Sequence, residues 1–293
     1  MERIQSALNK ARKARQEQSA EDQPTAKPAR APKAAPDEKL DTLVLPKDAA
    51  FDGREDLWKT ITAFHPKEKQ LSSSRIVAYR SGHDSVPYDV MRTKLLHQMK
   101  ANNWTRVAIV SPSPGAGKTL TSVNLAFSLA RQSNFYTMLV ELDMRRPALA
   151  KTLKMTDDCQ FSRVLSGEDP AEKHLRRYGK GLLFAYNANT VRNPAELLQG
   201  VDAAKIVDDL EARFQPDIMI FDTPPVFSGD DTLAFLDQVD CVLLIAEAEK
   251  STIDEIDKCE QELAARTNVL GVVLNKCRYL SKHEEYGKEY GAA

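Results

Sequence analysis

"RVAIVSPSPGAGKTLTSVNLAFSLA", residues 106–130, decides the fold. Its first part, 106–112, is an apolar run of strand length. From Lys118 to Arg131 the pattern becomes helical, with Val123, Ala126, Phe127 and Ala130 on one face. Between strand and helix stand Pro114, Gly115, Ala116 and Gly117, followed by Lys118, Thr119 and Leu120. Glycines let backbone N–H groups turn inward on phosphate oxygens, and a helix amino terminus adds partial positive charge. In such a loop Lys118 bridges the outer phosphates and the Thr119 hydroxyl ligates Mg²⁺. The strict G-x-x-x-x-G-K-[ST] pattern fails at its first position, where Pro112 stands five residues before Gly117. The plain alternative is a helix amino terminus with small residues, and the placement between strand and helix favours the phosphate loop.

Working outward, apolar runs at 137–143, 181–188, 217–222, 241–248 and 269–275 alternate with helical segments. Strands that are continuously apolar are buried on both faces, so the expected fold is α/β, a doubly wound and mostly parallel sheet. Two acidic groups sit at predicted strand ends, where ligands of open α/β sheets gather. One is "LVELDMRRP", with Glu141, Asp143 and Arg145, and the other is "IMIFDTPP", with Asp222. Magnesium takes one or two carboxylates besides phosphate oxygens, so Thr119 with Asp143 or Asp222 suffices to hold it. A second carboxylate near the outermost phosphate can accept a proton from an attacking hydroxyl. The candidate catalytic residues are therefore Lys118, Glu141, Asp143 and Asp222.

The 293 residues are 42% hydrophobic and 28% charged, which suits one domain with extensions. A formal net charge of −1 gives no basic excess for nucleic acid, and none is expected as a partner. Cys159, Cys241, Cys259 and Cys277 include no Cys-x-x-Cys pair, against a zinc site or a disulfide framework. The five histidines form no ligand spacing, and the serines lack an evident base. No apolar run is long enough to span a bilayer, so the expectation is a soluble, cytoplasmic chain with peripheral membrane contact at most. Residues 1–18 read as a short basic amphipathic helix and 19–75 as a Pro- and Ala-rich linker. Within that linker Leu57, Trp58, Ile61 and Phe64 suit one short docking helix, ended by the serines at 72–74. The nucleotide-binding domain is expected at 76–276 and a tail at 277–293.

Together "SPSPGAGKTLTSVNLAFSLA", "LVELDMRRP" and "IMIFDTPPV" resemble the Walker A, A′ and B motifs of bacterial tyrosine kinases, autokinases of capsule and exopolysaccharide synthesis. The resemblance extends to "NPAELLQG" at 193–200 and to "VLGVVLN" at 269–275, whose last residue, Asn275, joins the nucleotide contacts. It implies a P-loop fold shared with the MinD and ParA ATPases, with ATP and Mg²⁺ as cofactors. Tyr279, Tyr286 and Tyr290 of the tail become the autophosphorylation sites. A membrane polysaccharide co-polymerase becomes the partner, and self-association is implied. Glu141 stands where that family has an aspartate. The family's Glu-x-x-Arg-x-x-Arg assembly motif falls on Val86, Asp89 and Arg92, retaining only the last residue. These departures leave open a nucleotide-gated regulatory subunit of the polysaccharide machinery. A partition or positioning ATPase is a third reading, weakened because Ser113 occupies the place of those proteins' extra lysine.

Overall fold

The computed structural model describes residues 51–278. The amino-terminal helix expected at 1–18, most of the linker, and Tyr279, Tyr286 and Tyr290 lie outside the described residues. Five longer helices are named here: α1 (Phe51–Thr60), α2 (Val86–Asn102), α3 (Lys118–Ala130), α4 (Val201–Phe214) and α5 (Ile253–Ala264). The strands are β1 (Arg106–Val110), β2 (Thr137–Glu141), β3 (Leu175–Tyr178), β4 (Leu182–Ala185), β5 (Ile218–Asp222), β6 (Cys241–Glu247) and β7 (Asn268–Asn275).

They form one sheet in the order β3-β4-β2-β5-β1-β6-β7. Every neighbouring pair is parallel except β3 with β4. Strands β1, β2, β4 and β5 are buried at every position, as their uninterrupted apolar runs require of strands covered on both faces. One core, with Met138, Met219, Val242, Phe214 and Leu263, lies on one face; a second, with Ile109, Leu139, Ile220, Phe127 and Leu125, lies on the other. Helix α3 is buried from Thr121 to Leu129, more completely than one amphipathic face implies.

Three expectations change. Strand β7, whose apolar run predicts cover on both faces, is an edge strand with Val272 and Leu274 exposed. Strand β3 escaped the apolar-run reading because "LRRY" carries two arginines and only Leu175 is buried. It is an antiparallel edge strand, which needs only one covered face. The segment 51–75 is not a linker around one helix but part of the fold. Helix α1 stops at Thr60, and Phe64 N–H donates to the Arg177 carbonyl at 2.7 Å. A further turn of helix spans Glu68–Ser73. Trp58 is fully buried, donates from Nε1 to the Phe214 carbonyl at 2.7 Å, and meets Tyr136 edge-on at 4.8 Å. The domain edge thus lies well before residue 76.

Candidate active site

Strands β2, β5 and β1 are adjacent, so the motifs that follow them meet at one edge of the sheet although about 100 residues separate Lys118 from Asp222. In register, Asp222 pairs with Ile109 on one side and with Glu141 on the other. The phosphate loop leaves β1 directly above this row.

Gly115 and Gly117 have φ of +88° and +92°, a backbone region that side chains rarely occupy. A Cβ on Gly117 would also stand 2.4 Å from Asn275 Nδ2. Among the described residues, the N–H groups of Gly115, Ala116 and Gly117 donate no hydrogen bond to the protein. Pro114 and Gly115 are exposed, while Ala116 and Lys118 are buried. Leu120 packs its half-buried side chain against the core, so any contact it makes with a nucleotide comes from its main chain.

Lys118 Nζ donates to Ser111 Oγ at 3.0 Å. Burial pushes its pKa down, and the charges of Asp222 and Asp143 oppose that shift. Asp222 is buried and accepts from Ser122 Oγ at 3.1 Å through Oδ1. Its Oδ2 has no hydrogen-bond partner among the described residues. Burial raises its pKa to about 6, opposed first by the nearby Thr119 hydroxyl, then by Lys118 and Ser122. The Thr119 hydroxyl stands near that carboxylate without completing a well-formed bond. A buried carboxylate oxygen lacking a donor, beside a hydroxyl and inward-facing N–H groups, is a donor set that fits Mg²⁺ carrying a phosphate.

Asp143 is half-buried. Its Oδ1 accepts the Arg146 N–H at 3.2 Å, and its pKa is raised by burial against the pull of Lys118. Arg145 donates to the buried Asp231 from Nε at 2.6 Å and Nη2 at 3.0 Å, a bidentate grip that fixes the turn after Asp143.

Glu141 requires a correction. Its Oε1 accepts the N–H groups of Ala148 and Leu149 at 2.6 and 2.7 Å, and Oε2 accepts that of Asn187 at 2.9 Å. It is fully buried, with its pKa raised by desolvation to about 7. Both oxygens are committed to backbone, so Glu141 braces the turn that carries Asp143 and does not face the phosphate loop as a proton acceptor. The extra methylene relative to aspartate supplies the reach to two separate loops.

The assembly-motif positions are also used internally. Asp89 pairs with Arg92 at 3.3 Å and with Arg131, and accepts from Ser85 Oγ at 3.1 Å. Arg92 donates to the Ser128 carbonyl at 2.8 Å, which ties α2 to α3.

Residues 107–290 match the CobQ/CobB/MinD/ParA nucleotide binding domain family. The chain belongs to that family. Within the CobQ/CobB/MinD/ParA class, its curated relatives include the putative tyrosine-protein kinase EpsB of Ralstonia nicotianae, 30% identical over 203 residues. That match covers 69% of this chain, and the chain spans only 27% of the length of EpsB. The tyrosine-protein kinase YwqD of Bacillus subtilis is 27% identical over 206 residues, covering 70% of this chain and 85% of YwqD. The crystal structure of the VpsO kinase domain superposes with a TM-score of 0.59 at 26% identity, covering 66% of this chain and 96% of that one. The CobQ/CobB/MinD/ParA fold thus accounts for the mostly parallel sheet and the phosphate loop seen here. Among the described residues no helix is long and apolar enough to cross a membrane.

The structure brings Lys118, Thr119, Asp143 and Asp222 together, with Asn275 behind the loop. Sequence reading missed Ser111, Ser122, Asp231 and Asn187. Ser122 carried a usable signal, four residues after Lys118 and so on its face of the helix. Asp231 and Asn187 carried none, because only tertiary folding sets them beside Arg145 and Glu141.

Proposed function

We propose that this chain is an ATP-dependent protein-tyrosine autokinase acting on Tyr279, Tyr286 and Tyr290. The observation that supports this reading best is the placement of Asp143: a half-buried carboxylate beside Lys118, with one oxygen uncommitted among the described residues, at the mouth of a phosphate loop. Kinship with EpsB and YwqD supplies the reaction class.

The loop N–H groups and Lys118 hold the phosphates, and Thr119 with Asp222 holds Mg²⁺. Bound there, the ion neutralises charge on the transferring phosphoryl group. Asp143 accepts the proton from the attacking tyrosine oxygen, and Asp231 keeps Arg145 and the intervening turn in place. Glu141 braces the same turn from the other side. The reading extends to regulation of exopolysaccharide or capsule polymerisation with a membrane co-polymerase, to peripheral association with that partner, and to self-association. Since Asp89 and Arg92 are engaged within the chain, self-association calls for a different surface.

A second reading, a nucleotide-gated regulatory subunit with little transfer, is favoured by Glu141, because only one A′ carboxylate is left to act on a hydroxyl. Incubation of the full chain with Mg-ATP and phosphotyrosine mapping by mass spectrometry separates the two. Tail phosphotyrosine that vanishes in Lys118→Met supports the autokinase. Nucleotide binding without phosphotyrosine selects the regulatory subunit.

A further inference from the structure

The end of β7 reaches the outer side of the phosphate loop. Asn275 Nδ2 donates to the Ala116 carbonyl at 2.8 Å, and Lys276 Nζ donates to the Gly115 carbonyl at 2.6 Å. Lys276 has a φ of +61°, uncommon for a residue with a side chain, and its N–H donates to Asn275 Oδ1 at 2.9 Å. Glu247, at the end of β6, holds the same ammonium from Oε1 at 3.0 Å and Lys250 Nζ from Oε2 at 3.3 Å. Two neighbouring strand ends thus fasten two consecutive carbonyls of the loop.

In a trans peptide the carbonyl and the following N–H point in opposite directions. Fastening the Gly115 carbonyl outward turns the Ala116 N–H inward, and fastening the Ala116 carbonyl does the same for the Gly117 N–H. Those are among the N–H groups that find no partner among the described residues.

We propose that Lys276, oriented by Glu247, is a positioning residue that sets the phosphate loop in its anion-binding conformation before nucleotide arrives. This rests on the nucleotide-binding reading of the same loop and adds residues outside its motif. Glu247 is the informative partner. It is an anion near a site for a polyanion, so through-space charge alone predicts that Glu247→Gln binds nucleotide more tightly. Positioning predicts the reverse, because Lys276 loses the carboxylate that holds it on the Gly115 carbonyl.

The test is equilibrium titration of the full chain with Mg-ADP, alongside Glu247→Gln, Lys276→Met, Lys276→Arg and the Glu247→Gln/Lys276→Met pair. Lys276→Met is expected to weaken binding about ten- to one hundred and fiftyfold, the range for one charge-assisted hydrogen bond. Glu247→Gln is expected to weaken it in the same direction, Lys276→Arg to restore most of the affinity, and the double variant to be no weaker than Lys276→Met alone. Unchanged or tighter binding by Glu247→Gln overturns the proposal. So does a lowered melting temperature of the nucleotide-free variant with unchanged affinity, which assigns the network to stability instead. Failure of the unaltered chain to bind Mg-ADP removes the nucleotide reading itself and the proposal with it.

Discussion

Glu141 and Asp222 stand side by side in register on β2 and β5, both buried, yet one has each oxygen bonded to backbone N–H and the other keeps Oδ2 without a donor among the described residues. Neighbouring carboxylates so differently satisfied have different work: Glu141 holds a turn, and Asp222 is left to hold a cation.

Glu141→Asp restores the aspartate of the resembled family but shortens the arm that reaches Ala148, Leu149 and Asn187. Buried N–H groups left without acceptors cost about 1–3 kcal/mol each. The expected outcome is a lower melting temperature with Mg-nucleotide binding retained, checked by thermal melts with and without Mg-ADP. An Asp variant as stable as the original would contradict the bracing role.

The two carboxylates also set a pH dependence. Burial raises Glu141 to about 7 and Asp222 to about 6, so the folded chain binds protons that the unfolded chain has released. Stability contributed by these groups therefore grows as pH falls through 7 and 6, and is complete near their ordinary values of about 4. Magnesium needs the ionised Asp222 and follows the opposite trend. The melting temperature without metal is expected to rise from pH 8 to pH 5.5, while the increment given by Mg-ADP shrinks. Asp222→Asn should remove most of that increment at every pH.

Gly117→Ala places a Cβ 2.4 Å from Asn275 Nδ2 at a φ of +92°. The side chain of Asn275 must move off the Ala116 carbonyl, and the backbone is strained by about 1–2 kcal/mol. We expect at least a tenfold loss of Mg-ADP affinity by calorimetry, with the far-ultraviolet circular dichroism preserved.

Trp58→Ala is expected to destabilise the fold by about 3–5 kcal/mol, as for other large aromatic side chains removed from cores. Denaturant unfolding measures this directly. A chain beginning at residue 76, where the apolar strand pattern places the domain edge, leaves the Trp58 pocket open and is expected to be recovered mainly as aggregate.

Asp143→Asn keeps the shape of the turn while removing the proposed proton acceptor. Tail phosphotyrosine is expected to fall by about two orders of magnitude or more, with Mg-ADP affinity within a few fold of the original. Equal losses of binding and transfer would move Asp143 from the chemistry to the nucleotide site.

The segment 106–130 determined by itself that a strand, a phosphate loop and a helix follow one another, because apolar periodicity, glycine placement and a helix amino terminus are local properties. Strands β2, β4, β5 and β6 were legible for the same reason, because burial on both faces leaves an uninterrupted apolar run, whereas β7 carries such a run at the sheet edge with Val272 and Leu274 exposed. Tertiary structure alone decided the rest. Strand β3 shows no apolar run because an edge needs only one covered face, and Trp58 joins the core through Phe214, more than 150 residues away. Whether a strand-end carboxylate braces a turn or receives a cation depends on which N–H groups lie within about 3 Å of it. For Glu141 these come from residues 148, 149 and 187, and for Lys276 the partners are a carbonyl at 115 and a carboxylate at 247. Such partners are chosen by strand order and register, which place distant residues in contact and leave no mark on the residues beside them in the chain.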